Sequence, residues 1–157
     1  MDKIVGIGEI AVSNDKKDMI KTFALSTCVA VAVYSPVNKA AGMVHVALPS
    51  PSRTGNDGAV PPGYYATTGV PFLINKMCTE LGCMRGELKV ELFGGARSVR
   101  NNDVFNIGQR NINTVKEILN QMNIRYTASE TGGTYSRSLQ MNVATGKIEM
   151  TTQPLVI

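Results

Sequence analysis

Two valine-rich runs separated by a six-residue polar turn constrain this chain more than any other feature. Residues 22–34 read Thr-Phe-Ala-Leu-Ser-Thr-Cys-Val-Ala-Val-Ala-Val-Tyr, and residues 41–49 read Ala-Gly-Met-Val-His-Val-Ala-Leu-Pro. Between them lies Ser35-Pro36-Val37-Asn38-Lys39-Ala40. β-branched residues alternating on either side of a turn-forming segment predict a β-hairpin. Pairing Tyr34 with Ala41 sets the register by counting: Val29 faces Val46, Val31 faces Val44, and Val33 faces Gly42. One face of the hairpin is then β-branched and suited to a core. The other carries Cys28, Ala30, Ala32 and Tyr34 opposite Ala47, His45, Met43 and Ala41, which makes Cys28 and His45 diagonal neighbours.

His45 is the only histidine of the chain. A thiol beside the sole imidazole, with small residues around both, has the form of a nucleophile and its base. A free thiol titrates near ~8.5, so only a small fraction is thiolate at neutral pH. An adjacent imidazole raises that fraction and supplies an acid for the leaving group. A third group commonly orients the imidazole. The hairpin has no carboxylate for this, and its nearest polar groups are Thr22, Ser26 and Thr27. The turn entering Cys28 can donate backbone N–H groups to an oxyanion. The chemistry implied is acyl transfer at an amide or ester through a thioester, without metal or cofactor. The plain alternative is packing, because cysteine is among the most often buried residue types.

The remaining composition narrows the function classes. A length of 157 residues predicts a single domain spanning 1–157, and 43% hydrophobic against 18% charged residues marks it as globular rather than disordered. Three cysteines, an odd number without framework spacing, suit a reducing compartment. Cys78 and Cys83 with one distant histidine do not assemble a zinc site. No apolar run reaches membrane-spanning length and Met1-Asp2-Lys3-Ile4 does not resemble a signal peptide, so a cytoplasmic location without membrane insertion is expected. A net charge of +4, no tryptophan and no basic-aromatic ladder give little support to nucleic-acid binding.

Along the chain, residues 3–13 predict a strand. Gly6-Ile7-Gly8 formally matches a dinucleotide fingerprint, but no helical period follows it. Residues 14–18 predict a solvated turn, and Met19 to Phe23 lead into the hairpin. Residues 49–63, with four prolines and three glycines, predict a loop bordering the His45 strand. Val70, Leu73, Ile74, Met77, Cys78 and Leu81 keep helical spacing, with Pro71 near the start and Gly82 closing the helix. A strand is predicted over 87–93, a second amphipathic helix over 108–122, a strand over 124–129 and a tight turn at 131–133. A final hairpin pairs 138–143 with 147–151. Hairpins outnumber βαβ units, so the fold class is α+β, a mainly antiparallel sheet covered by two amphipathic helices.

At several short, ordered pieces the chain resembles the CheD family of chemoreceptor glutamine deamidases of bacterial and archaeal chemotaxis. They are Gly6-Ile7-Gly8-Glu9, Cys28-Val29-Ala30-Val31, His45-Val46-Ala47-Leu48-Pro49, Tyr65-Ala66 and Gly94-Gly95-Ala96, then Asn106 through Asn111, and Thr131-Gly132-Gly133 with Arg137. The resemblance implies a β-sandwich-like pair of sheet layers with helices packed outside. It also implies hydrolysis of glutamine side chains on the cytoplasmic helices of chemoreceptors, with release of ammonia. By motif position the resemblance implies Cys28 as the nucleophile, His45 as the base and Thr22 as the orienting residue. A further partner implied by the resemblance is a CheC-type response-regulator phosphatase, which offers a different role as a non-catalytic or dual-role regulatory module. The chain departs from the family pattern at three places. Ser26-Thr27-Cys28 stands where Gly-Ser-Cys is usual, Thr67 replaces an aspartate after Tyr-Ala, and Arg97 follows Gly-Gly-Ala.

Overall fold

A computed structural model describes residues 1–55, 57–97 and 105–155. In them the chain runs through β1 (Asp2–Ile4), β2 (Ile10–Ser13), β3 (Met19–Leu25), β4 (Val29–Ser35), β5 (Ala40–Val46), α1 (Ala66–Leu81), β6 (Lys89–Gly94), α2 (Ile107–Gln121), β7 (Thr127–Thr131), β8 (Tyr135–Asn142) and β9 (Ile148–Pro154). The strands form two sheets, ordered β1-β3-β8-β9 and β2-β5-β4-β6-β7. Pairing is antiparallel except for β1 with β3 and β6 with β7. The architecture is α+β, two stacked sheets with both helices on the outer face of the five-stranded one.

The β4–β5 hairpin has the register obtained by counting: Val29 pairs with Val46, Val31 with Val44, Val33 with Gly42 and Tyr34 with Ala41. Its two faces enter two different cores. Val29, Val31 and Val33 join Leu73, Ile74 and Met77 of α1 and Ile112, Val115 and Leu119 of α2. Ala30, Ala32 and Met43 instead face Ile20, Leu139 and Met141 of the four-stranded sheet. Gly42 permits the close approach of α1, since a side-chain carbon there would lie 2.9 Å from both Leu73 Cδ1 and Met77 Sδ.

Several elements differ from expectation. The predicted strand 3–13 is broken, because Gly6-Ile7-Gly8 turns the chain from one sheet into the other, with Gly8 at φ +80°. Residues 19–25 are not a lead-in but β3, a strand of the opposite sheet. Helix α1 begins at Ala66 rather than near Val70, so Pro71 lies inside it. Its opening turn is tied to the preceding loop by Ala66 N–H to Leu48 O (3.0 Å) and Thr67 N–H to Pro49 O (3.1 Å). Gly82 closes α1 in the left-handed conformation, as its position predicts. Strand β7 starts three residues later than 124, and Ile124 reaches the helix-side core from the connecting segment. The last hairpin extends beyond its predicted ends in β8 and β9.

Candidate active site

Cys28 lies one residue before β4, half-buried, on the same side of the strand as Ala30. Ala30 pairs with His45 of β5, so thiol and imidazole share the face turned toward the four-stranded sheet. Thr22 comes from that opposite sheet, in the middle of β3, and is completely buried. Thr22 and His45 therefore meet across the inter-sheet layer, and Cys28 lies on the same face of the hairpin sheet.

The hydrogen bonds fix the imidazole tautomer. Thr22 has one hydroxyl proton, and it donates to Val5 O at 2.7 Å. Its oxygen must then accept from His45 Nδ1, also at 2.7 Å. Nδ1 carries the proton and Nε2 is a bare acceptor. Nε2 is buried and has no partner among the described residues. The His45 backbone is tied to the N-terminal turn by Gly8 N–H to His45 O (2.7 Å) and His45 N–H to Glu9 O (3.2 Å).

Burial pushes the Cys28 thiol above its ordinary value. Burial pulls the His45 imidazole below its own, with the Val5 carbonyl acting in the opposite direction. Both shifts favour a neutral thiol and neutral imidazole at rest over a preformed ion pair. Sγ makes no hydrogen bond among the described residues, so the pair is placed on one face but not yet joined. Such contacts commonly tighten only when substrate is bound.

The turn before Cys28 is held from one side. Ala96 N–H donates to Ser26 O and Gly95 N–H donates to Cys28 O, each at 2.8 Å. Gly94 has φ +103°, and a side-chain carbon there would collide with the Cys28 carbonyl, so glycine is required. Neither Ser26 nor Thr27 has positive φ. The residues standing where the family pattern has Gly-Ser thus need no glycine-only conformation. The left-handed residue nearby is Ala24 (φ 54°), at the bulge that separates Thr22 from Leu25 in β3.

Two buried polar residues near this region escape sequence reasoning as site components. Asn111 of α2 is fully buried, and its Nδ2 donates to Thr27 O at 2.9 Å and Ala47 O at 3.0 Å. Arg137 of β8 is 1% exposed, pairs with Leu25, and stacks 4.3 Å above the Tyr135 ring. Both carried a signal. Asn111 interrupts the helical stripe of Val115 and Leu119, and Arg137 interrupts the alternation of Leu139 and Met141. For Asn111 the interruption coincides with two hydrogen bonds; Arg137 Nε and Nη1 are buried without a partner among the described residues, and its contact is the Tyr135 ring.

The 49–63 loop leaves from the end of the His45 strand and returns to it. Ala47 N–H donates to Tyr64 O at 2.9 Å, and Gly63 N–H donates to Gly8 O at 2.8 Å. Within the loop, Ser52 N–H donates to Asp57 Oδ2 at 2.7 Å. The Ser52 side chain and backbone hold the Asp57 carboxyl below its usual range. Both ends of the loop are therefore tied to backbone next to His45.

Comparison with known proteins bears on the same architecture. The CheD family model, described as CheD chemotactic sensory transduction, matches residues 47–152. That match begins two residues after His45, so it covers the scaffold rather than Thr22, Cys28 and His45. Longer similarity comes from individual proteins. "Probable chemoreceptor glutamine deamidase CheD" of Syntrophotalea carbinolica is 46% identical over 95% of this chain and 93% of its own length. "Chemoreceptor glutamine deamidase CheD" of Thermotoga maritima is 38% identical over 94% of this chain and 90% of its own. Among solved structures, the Bacillus licheniformis hypothetical protein YfiH superposes with a TM-score of 0.51 at 10% identity. That superposition covers 78% of this chain and about half (51%) of the other, and speaks for the fold alone. Among the described residues no helix is long and apolar enough to cross a membrane.

Proposed function

The chain belongs to the CheD family, and on that premise we propose that it is a glutamine deamidase of chemoreceptors in which Cys28 is the nucleophile, His45 the general base and Thr22 the residue that orients the imidazole. The observation that carries the assignment is the Val5–Thr22–His45 relay, which leaves Nε2 unprotonated on the face that holds the thiol. Nε2 takes the Sγ proton as sulfur bonds to the glutamine side-chain carbonyl carbon. The oxyanion so formed accepts N–H donors from the turn at Cys28. Collapse breaks the C–N bond, Nε2–H protonates the leaving nitrogen, and ammonia departs from a thioester. Water then attacks the thioester carbonyl with its proton going to Nε2. The C–S bond breaks, the imidazolium returns a proton to sulfur, and glutamate is released. The half-buried sulfur meets an incoming side chain better than a buried one, which fits a substrate presented on the surface of a helix.

The test is deamidation of co-expressed receptor fragments, followed by the ~1 Da mass increase and by ammonia release. Cys28→Ala and His45→Ala should each lower the rate by at least ~10³-fold while far-UV circular dichroism stays unchanged. Undiminished deamidation by Cys28→Ala would remove the assignment. Wild type that binds a CheC-type phosphatase tightly yet never deamidates receptor would favour the regulatory module instead.

A further inference from the structure

Three consecutive carbonyls at the nucleophile turn are held by three separate donors. Ser26 O accepts from Ala96 N–H (2.8 Å), Thr27 O from Asn111 Nδ2 (2.9 Å) and Cys28 O from Gly95 N–H (2.8 Å). A trans peptide unit is planar, with its N–H directed opposite to its C=O. Pinning the Ser26 carbonyl therefore aims the Thr27 N–H away from the Gly95–Ala96 segment. Pinning the Thr27 carbonyl in turn aims the Cys28 N–H away from α2. Neither N–H has an acceptor among the described residues. Two of the three donors are backbone groups. The third depends on one side chain.

We propose that Asn111 is a positioning residue for the deamidation reaction: by holding the Thr27 carbonyl it orients the Thr27–Cys28 peptide so that the Cys28 N–H faces the developing oxyanion. The inference rests on the deamidase assignment above and extends it to a residue that contacts no substrate. The same nitrogen also donates to Ala47 O at 3.0 Å, two residues beyond His45. One carboxamide thus couples the nucleophile turn to the strand that carries the base. Both acceptors are carbonyl oxygens, so the group facing them must be the amide nitrogen. Asn111 Oδ1 is left buried without a partner among the described residues. An apolar residue on that helix face would avoid this desolvation, so the position is not explained by packing alone.

The kinetic test compares wild type, Cys28→Ala, Asn111→Ala and the near-isosteric Asn111→Asp on a receptor fragment. Both Asn111 variants should lose about 10²-fold in kcat with KM within about twofold of wild type. Alkylation of Cys28 by iodoacetamide should stay within about threefold of wild type, because it needs no oxyanion donor. A kcat within about threefold of wild type overturns the inference. So does a kcat loss matched by an equal loss of alkylation, which would mark general disruption of the site. A second measurement uses wild type only. A receptor peptide with an aldehyde in place of the target carboxamide adds reversibly to Cys28, and the Cys28 amide proton resonance should move downfield. No movement on adduct formation overturns the inference even where the Asn111 variants fail to fold. If Cys28→Ala deamidates like wild type, the underlying assignment fails; if it is inactive and the Asn111 variants keep full kcat, only the present inference fails.

Discussion

The two faces of the β4–β5 hairpin belong to the same fourteen residues and do opposite work. The face toward the helices is hydrocarbon: Val29, Val31 and Val33 meet leucine, isoleucine and methionine of α1 and α2. The face toward the other sheet carries Ala30, Ala32 and Ala41 beside Met43 and Tyr34, and the same layer holds Thr22, His45 and the half-buried Cys28. Large β-branched side chains fill a layer and exclude polar groups. Small ones on the alternate positions leave room for an imidazole and its hydrogen-bond partners. The two-residue period of a strand thereby separates the all-hydrocarbon layer from the one that also holds these polar groups.

Substitutions on the two faces should separate in the same way. Leu73→Ala, in the helix-side layer, removes a fully buried side chain and should cost about 2–5 kcal/mol. Its deamidation rate per folded molecule should stay near wild type; denaturant melts beside activity assays at low temperature check this. A matching loss of turnover would show the two faces to be mechanically coupled.

On the opposite face, Thr22→Val keeps the shape and removes the hydroxyl. It leaves Val5 O and His45 Nδ1 without that partner, a loss of about 1–3 kcal/mol. Turnover should also fall on the order of 10²-fold, since nothing then holds the imidazole in the productive tautomer. Serine at the same position should restore much of the rate. Equal defects in valine and serine variants would mean that Thr22 acts through packing.

The pH response sharpens the contrast further. Burial lowers the His45 pKa from its ordinary 6.5, with the Val5 carbonyl opposing. The folded state therefore favours neutral imidazole. That contribution to stability is complete above the ordinary value and is lost as pH falls through the lowered one. The same protonation removes the proposed base. The acid limb of kcat/KM should lie below pH 6.5, with melting temperature declining over the same interval. An acid limb centred above that value would exclude His45 as the group responsible.

The smallest effect is expected at the bulge beside Thr22. Ala24 has φ 54°, a left-handed conformation that disfavours a side chain. Ala24→Gly should raise stability by about 0.5–1 kcal/mol, read as a higher midpoint in urea. A decrease would show that chain stiffness at the bulge outweighs the relief of strain.

Much of the helix-side layer was legible because it obeys periods. Leu73, Ile74 and Met77 repeat every three or four residues, and Val29, Val31 and Val33 every two. Those periods gave both helices, the hairpin and its register. Strand 3–13 misled because Gly6-Ile7-Gly8 interrupts an apolar run without changing its composition, and only the sheet change reveals the break. Met19 to Phe23 misled for the opposite reason: a strand whose partners lie at Asp2–Ile4 and Leu139–Asn142 offers no local hairpin signal.

By itself the sequence determined which side chains share a face, since alternation along a strand is a local property of the backbone. It put Cys28 and His45 on one side and the valines on the other before any fold was known. Tertiary structure alone decided what stands opposite. Thr22 reaches His45 from the second sheet, and Asn111 reaches Thr27 and Ala47 from α2. A hydrogen bond between elements far apart in the chain leaves no period in the sequence, because its geometry is set by how whole layers stack.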